Sequence, residues 1–110
     1  MAELRPTGDQ VLDQITGTIV ERFQPRRIVL FGSRARGNSF TDSDYDLFIE
    51  MDTELRPLQR ATAVHRLFPR RRWALDAIVF TPDEVQRWRN DIGSLVYTVE
   101  REGRTLYERS

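Results

Sequence analysis

The stretch Arg27-Ile28-Val29-Leu30-Phe31-Gly32-Ser33 decides how this sequence of 110 residues folds. Its first five residues are mostly branched or aromatic, and Gly32 ends them, which predicts a short strand buried on both faces and followed by a glycine turn. Gly32 lets the backbone approach a ligand closely, and a helical turn after it would offer N–H groups to phosphate oxygens. Ser33 adds a hydroxyl, and Arg34 or Arg36 adds a cation. The turn is therefore a candidate for binding phosphate oxygens, and it becomes a specific signal only in combination with the acids described below.

Helices alternate with short strands on both sides of this stretch. An amphipathic helix with apolar residues from Val11 to Phe23 precedes it and stops before Pro25. After it the patterns predict a short helix, a strand from Tyr45 to Met51 and a helix from Pro57 to Pro69. A strand from Trp73 to Phe80 follows, and then a helix that is capped by Thr81 and runs to about Asn90. The last predicted elements are a short helix around Ile92, Leu95, Val96 and Val99 and a closing edge strand from Arg104 to Tyr107. This order favours an α/β (α+β) fold, with one small mixed β-sheet flanked by helices, in a single domain spanning residues 1–110.

Two aspartates stand two positions apart where the second predicted strand begins. Side chains alternate between the faces of a strand, so Asp44 and Asp46 point the same way, about 6.5 Å apart at a rise of about 3.3 Å per residue. Such a pair repels unless a cation lies between the carboxylates, and magnesium is the natural candidate. Asp76 interrupts the otherwise apolar third strand, where a lone carboxylate would be costly to bury. If the two strands are neighbours, the trio could hold two magnesium ions about 3.5–4 Å apart.

Composition excludes several other classes of function. Seventeen acidic residues balance seventeen basic ones, so direct binding to nucleic acid is not indicated by net charge. The absence of cysteine excludes disulfides, thiolate metal sites and thiol catalysis. No run approaches the roughly 18 apolar residues of a membrane span. The first residues lack the apolar region of a signal peptide, so we expect a cytoplasmic protein without membrane contact.

Gly32-Ser33, then ten residues, then Asp44-Tyr45-Asp46 together resemble the signature of the polymerase-β-type nucleotidyltransferase superfamily. The longer string from Ile28 to Gly37 and the ending from Tyr97 to Tyr107 are similar to the stand-alone minimal nucleotidyltransferases of bacteria and archaea. The resemblance therefore covers most of the chain and implies a minimal domain with the polymerase-β-like fold.

The resemblance also implies a chemistry for these residues. A nucleoside triphosphate would bind with its phosphates at Ser33 and with two magnesium ions on Asp44 and Asp46. Asp76 would be the third acid, also at the metals, and would help to deprotonate the attacking hydroxyl. AMP from ATP is the expected transferred group, although the residues themselves leave ATP, GTP, CTP and UTP open.

A protein partner is implied by the same resemblance. Minimal members are often encoded beside an all-helical HEPN ribonuclease toxin and act as its antitoxin, in some cases by adenylylating (AMPylating) a tyrosine of the toxin. Larger members carry a further domain that holds the acceptor, and this sequence has no length left for one. We therefore expect a HEPN partner or a second copy to supply the acceptor side, docking on the helix with Leu95, Val96 and Val99.

Two other functions stay open, and one is rejected. The chain could be an antitoxin that neutralises its HEPN partner by binding alone, or it could transfer a nucleotide to a small molecule. The spacing of Arg60 and His65 matches the Arg-x4-His motif of HEPN ribonucleases themselves. We reject that reading because HEPN domains are all-helical, whereas this sequence has several strand patterns.

Overall fold

A computed structural model of the protein describes residues 2–37 and 44–109, which form five strands and four helices. In chain order these are β1 (Ala2–Leu4), α1 (Gln10–Phe23), β2 (Arg27–Phe31), β3 (Tyr45–Glu50), α2 (Pro57–His65), β4 (Leu75–Phe80), α3 (Pro82–Trp88), α4 (Leu95–Glu102) and β5 (Arg104–Arg109). Within the described ranges, no helix is long and apolar enough to span a membrane.

The strands form one mixed sheet in the order β1-β5-β2-β3-β4. Neighbouring strands are antiparallel except β3 and β4, which are parallel and pair from Tyr45 with Leu75 to Glu50 with Phe80. Helix α2 connects these two parallel strands, as such a connection requires. The predicted fold class is confirmed, and the strand that carries Asp76 does neighbour the strand that carries Asp46.

The sheet separates two apolar layers, because its side chains alternate between faces. On one face α1 and α2 cover a core that includes Leu12, Ile15, Ile19, Ile28, Leu30, Leu47, Ile49, Val64, Ala77 and Val79. On the other face α3 and α4 cover a smaller core made of Val29, Phe48, Val85, Val96 and Val99. The first position of β3, Tyr45, faces the first layer, and its second position, Asp46, faces the second.

Helix α1 has well-defined ends. The Asp9 side chain accepts a hydrogen bond from the backbone N–H of Leu12 at 3.1 Å, which caps the first turn. The helix ends at Gln24, which takes the left-handed conformation with φ of 49° just before Pro25. The predicted opening helix is thus confirmed.

Helix α2 differs from its predicted pattern. Leu58, expected on the buried stripe, is 85% exposed, and Arg60 is buried instead. The Arg60 guanidinium donates to the carbonyl of Val79, and His65 Nε2 donates to the carbonyl of Leu75 at 3.0 Å. Both carbonyls face the open side of the edge strand β4, so α2 satisfies backbone groups that would otherwise meet water or another chain. The match to a HEPN motif thus has a structural explanation.

The structure changes three further predictions about the chain. The final strand β5 is not at the edge of the sheet, because β1, which the sequence pattern missed, pairs with it on the outside. Val96 and Val99 of α4 are only 1% exposed and are not available to a partner, while docking on the rest of that helix stays a prediction. Ile92 precedes α4 and is 76% exposed, because α4 begins only at Leu95.

Candidate active site

Gly32 ends β2 with a positive φ of 76°, a conformation that favours glycine. The residues after it form consecutive turns and not the predicted short helix: Arg36 N–H donates to the Gly32 carbonyl at 3.3 Å, and Gly37 N–H donates to the Arg34 carbonyl at 3.4 Å. Ser33 is half-buried within this glycine turn. Residues 38–43, which belong to the ten-residue interval of the sequence motif, lie outside the described residues.

Asp46 lies at the centre of the site. It pairs with Phe31 of β2 on one side and with Asp76 of β4 on the other. Paired residues in adjacent strands are about 4.8 Å apart, and the two carboxylates leave the sheet on the same face. The predicted meeting of these two acids is therefore confirmed by strand register.

The glycine turn reaches the same point from the other side. A Cβ built on Gly32 would overlap the Asp46 Oδ2 atom and would lie 3.1 Å from its Cγ. Backbone and carboxylate can approach this closely only because Gly32 has no side chain. The turn expected to hold phosphates and the acid expected to hold metal are thus in direct contact.

The charges of Asp44 and Asp76 act on the carboxyl group of Asp46. The pKa of Asp46 is raised from its ordinary value of 3.8, first by burial and then by the charges of Asp76 and Asp44, while the Arg36 guanidinium opposes the rise. Asp44 and Asp76 are both exposed to solvent, and Asp46 is half-buried. The result is an acidic centre with the exposed Arg36 guanidinium beside it, and Asp44 and Asp76 are open to a ligand from solvent.

These carboxylates supply hard oxygen donors of the kind that Mg²⁺ prefers. Within residues 2–37 and 44–109, no three acidic or histidine side chains already stand in an arrangement that could hold a metal ion. The donor chemistry therefore fits magnesium, and binding would require the side chains of Asp44, Asp46 and Asp76 to turn toward a shared ion. Their assignment as metal ligands stays a prediction.

The two arginines of the turn lie in different environments. The guanidinium carbon of Arg34 lies 3.9 Å from the centre of the Tyr45 ring, and its Nη1 atom lies 3.5 Å from Asp9 Oδ2. Arg34 thus packs on the α1 side of the sheet, while Arg36 is exposed and acts on the acidic side. Nucleotide contact by either arginine stays a prediction, and the structure favours Arg36.

Sequence reasoning did not identify Asp9 and Tyr45 as part of this region. The Tyr45 hydroxyl donates to Asp9 Oδ2 at 2.9 Å, and the pKa of Tyr45 is raised by burial and by this acid, against the opposing charge of Arg34. Asp9 could have been read as the cap of the first helix, since it directly precedes an amphipathic pattern. Its contact with a residue 36 positions away leaves no signal in local spacing.

Comparison with known proteins identifies the family of the chain. The family described as polymerase beta nucleotidyltransferase matches residues 13–110. A presumed nucleotidyltransferase from Sulfolobus solfataricus, solved by crystallography, is 27% identical and superposes with a TM-score of 0.56 over 71% of this chain and 70% of its own. A search of curated protein sequences finds no match.

The family match and the structural neighbour together show a nucleotidyltransferase-type domain. Because the family match spans most of its length, the chain belongs to the polymerase beta nucleotidyltransferase family.

Proposed function

We propose that this protein is a magnesium-dependent nucleotidyltransferase, which transfers AMP from ATP to a hydroxyl group of a HEPN-type toxin, most simply a tyrosine, and thereby acts as its antitoxin. The observation that carries the catalytic part is the direct approach of Gly32 to Asp46, with Asp76 paired beside it on the next strand. This arrangement supports the proposal, because the glycine turn and the two acids lie within reach of one triphosphate.

Each residue has a defined task in this proposal. The Gly32 backbone, the Ser33 hydroxyl and the Arg36 guanidinium hold the triphosphate, while Asp44 and Asp46 are the ligands for two magnesium ions. When bound, these ions would neutralise charge on the attacking and leaving oxygens. The acceptor oxygen forms a bond to the α-phosphorus, the bond to the bridging oxygen breaks, and pyrophosphate leaves. The Asp76 carboxylate accepts the proton of the acceptor hydroxyl.

The exposure of the acids supports a macromolecular acceptor. Asp44 and Asp76 are open to solvent, and α3 and α4 bury Val29 and Phe48 but leave Phe31 and Ile78 of the same sheet face only half-buried. A tyrosine side chain on another protein could therefore approach Asp76 without a rearrangement of the described helices. The identity of the partner rests on the resemblance to minimal nucleotidyltransferases.

The test uses the purified chain together with a HEPN-domain protein, sought first among the products of the neighbouring genes. Incubation with ATP and magnesium should increase the intact mass of the partner by one or more AMP units, and Asp46→Asn and Asp76→Asn should each reduce this transfer by at least about a hundredfold, as expected when a metal-binding or proton-accepting group is lost. Asp52→Asn is the matched control, because Asp52 is exposed and its ion pair with Arg26 lies at the opposite end of β3. Replacing ATP with GTP, CTP or UTP identifies the preferred base.

Neutralisation without transfer would give a different result. If the partner gains no mass and its ribonuclease activity is still suppressed by Asp46→Asn and Asp76→Asn, the protein acts by binding alone, and the enzymatic proposal is wrong. If the partner gains no mass but a free hydroxyl compound does, the acceptor assignment is wrong while the nucleotidyltransferase chemistry stands.

A further inference from the structure

Asp9, Tyr45 and Arg34 form a cluster on the face of the sheet opposite to the acids. Both carboxylate oxygens of Asp9 are used: Oδ1 caps α1 through the Leu12 N–H, and Oδ2 accepts from the Tyr45 hydroxyl and pairs with Arg34. The Tyr45 ring is 4% exposed and meets the edge of the Trp73 ring at 6.0 Å. The cluster is therefore anchored in the main core.

The positions of these residues in the chain connect the two halves of the active site. Arg34 follows Gly32 by two residues and belongs to the glycine turn. Tyr45 stands between Asp44 and Asp46, so its backbone is continuous with both carboxylates. A shift of the Arg34 guanidinium against the Tyr45 ring would thus change the distance between turn and acids.

We propose that Asp9, Tyr45 and Arg34 are positioning residues that fix the glycine turn relative to the acid pair from behind the sheet. This inference rests on the proposed function, because a magnesium-bound triphosphate must contact the turn and the acids at the same time. Small displacements between such groups weaken binding and catalysis strongly. The N-terminal end of α1 therefore determines the geometry of a site that it does not touch.

The chemistry of the cluster suits this task. Arginine presents a planar guanidinium that stacks on an aromatic ring and pairs with a carboxylate at the same time, which lysine cannot do. Only 14% of the Arg34 side chain and 34% of the Asp9 side chain are exposed, so the ion pair is partly shielded from solvent. A shielded pair holds one geometry better than a fully solvated pair does.

The first experiment measures the Kd of the full-length protein for ATP in the presence of magnesium by calorimetry. Tyr45→Phe keeps the ring under Arg34 and removes only the hydroxyl, and we expect about tenfold weaker binding, the usual size for loss of a hydrogen bond to a charged group. The measurement is made well below the melting temperatures of both proteins. A residue that only supported the fold would lower the melting temperature and leave this Kd unchanged.

A second variant separates charge from helix capping. Asp9→Asn keeps a good cap for α1, since asparagine and aspartate cap equally well, but it removes the charge that pairs with Arg34. We expect weaker ATP binding by this variant too. In the double variant with Tyr45→Phe, the Kd should rise by less than the product of the two single fold-changes, because both substitutions act through one cluster.

The matched control is Tyr97→Phe on α4. Tyr97 also lies under an arginine, with the Arg101 guanidinium carbon 4.4 Å from its ring centre, but this pair has no part in the site. Its Kd should equal that of the unchanged protein. If the unchanged protein binds magnesium and ATP and Tyr45→Phe binds equally well, the positioning role is wrong. If the unchanged protein does not bind, the proposed function fails first, and the inference fails with it.

Discussion

Gly32 and Asp46 lie so close together that no side chain fits between the backbone of one and the carboxylate of the other. The φ of Gly32, 76°, adds a second reason for glycine at this position. We predict that Gly32→Ala lowers the free energy of unfolding by about 2–4 kcal/mol, through backbone strain and overpacking together. It should also abolish nucleotide transfer by displacing Asp46. Urea unfolding and the transfer assay measure the two effects.

Gly37→Ala is the control for the backbone contribution. Gly37 has nearly the same φ, 77°, but a Cβ there meets no atom of residues 2–37 and 44–109 within 4 Å. Its substitution should therefore cost only about 1 kcal/mol, the price of a left-handed conformation in a residue with a Cβ. Equal losses of stability in the two variants would show that contact with Asp46 is unimportant.

Asp46 should make the metal-free protein less stable at neutral pH. Its folded pKa lies above the ordinary value, so the carboxyl stabilises the fold at low pH, and this contribution is lost as the pH rises through the folded pKa. Asp46→Asn removes the repulsion from Asp76 and Asp44. We predict that it raises stability at pH 7 by up to about 1 kcal/mol, because the site is partly solvated.

Magnesium should offset the destabilising effect of Asp46 on the unchanged protein. A bound cation offsets the repulsion among the acids, so magnesium should raise the melting temperature of the unchanged protein but not that of Asp46→Asn. Asp52 takes part in a solvent-exposed ion pair with Arg26. Asp52→Asn should therefore show the same rise in melting temperature with magnesium as the unchanged protein. A magnesium-induced shift of the same size in Asp46→Asn would contradict the assignment of Asp46 as a ligand.

The central part of the fold could be predicted because its signals are local. The strand from Arg27 to Phe31, the glycine that ends it and the capping box of Thr81 and Glu84 each depend on neighbouring residues, and all are present in the structure. The alternation of side chains in β3 likewise determined the face of Asp46, whereas Asp44 precedes the strand, which begins at Tyr45. Local chemistry was sufficient wherever a residue and its reason lay within a few positions.

Other features depend on partners far along the chain. The pattern of α2 suggested a buried Leu58. The helix instead turns Arg60 inward, because the carbonyl of Val79 and the carboxylate of Glu84 accept hydrogen bonds from its guanidinium there. The strand β1 contains only three residues and exists because β5 offers it an edge. The packing of Arg34 on the Tyr45 ring could not be predicted either, since the two residues are eleven positions apart.

Glu100 provides a test of stability at acid pH. Burial alone would raise its pKa, but hydrogen bonds from Arg89 and Arg27 and their charges lower it below the ordinary 4.5. The stabilisation is thus complete above about the unfolded pKa and is lost as the pH falls through the folded pKa. We predict that Glu100→Gln costs about 1–2 kcal/mol at pH 7 and reduces the loss of stability below pH 4.5, measured by urea unfolding across pH. If the free energy of unfolding falls equally below pH 4.5 in both proteins, this role of Glu100 is contradicted.

Removal of Arg60, the arginine within α2, should strongly destabilise the fold. Its side chain is 8% exposed, its Nη1 lies 2.8 Å from Glu84 Oε1, and it donates to the carbonyls of Leu55 and Val79. Arg60→Met fills a similar volume but leaves Glu84 and two carbonyls without this donor, so we predict a loss of about 3 kcal/mol. Arg66 is an exposed arginine on the turn that ends the same helix, and Arg66→Met should change stability by less than about 0.5 kcal/mol.

Because the Arg60 contacts join α2 to the edge strand β4, Arg60→Met should also aggregate more readily on heating, as light scattering would detect. Unchanged stability and unchanged scattering in Arg60→Met would mean that α2 is held to the sheet by its apolar contacts alone.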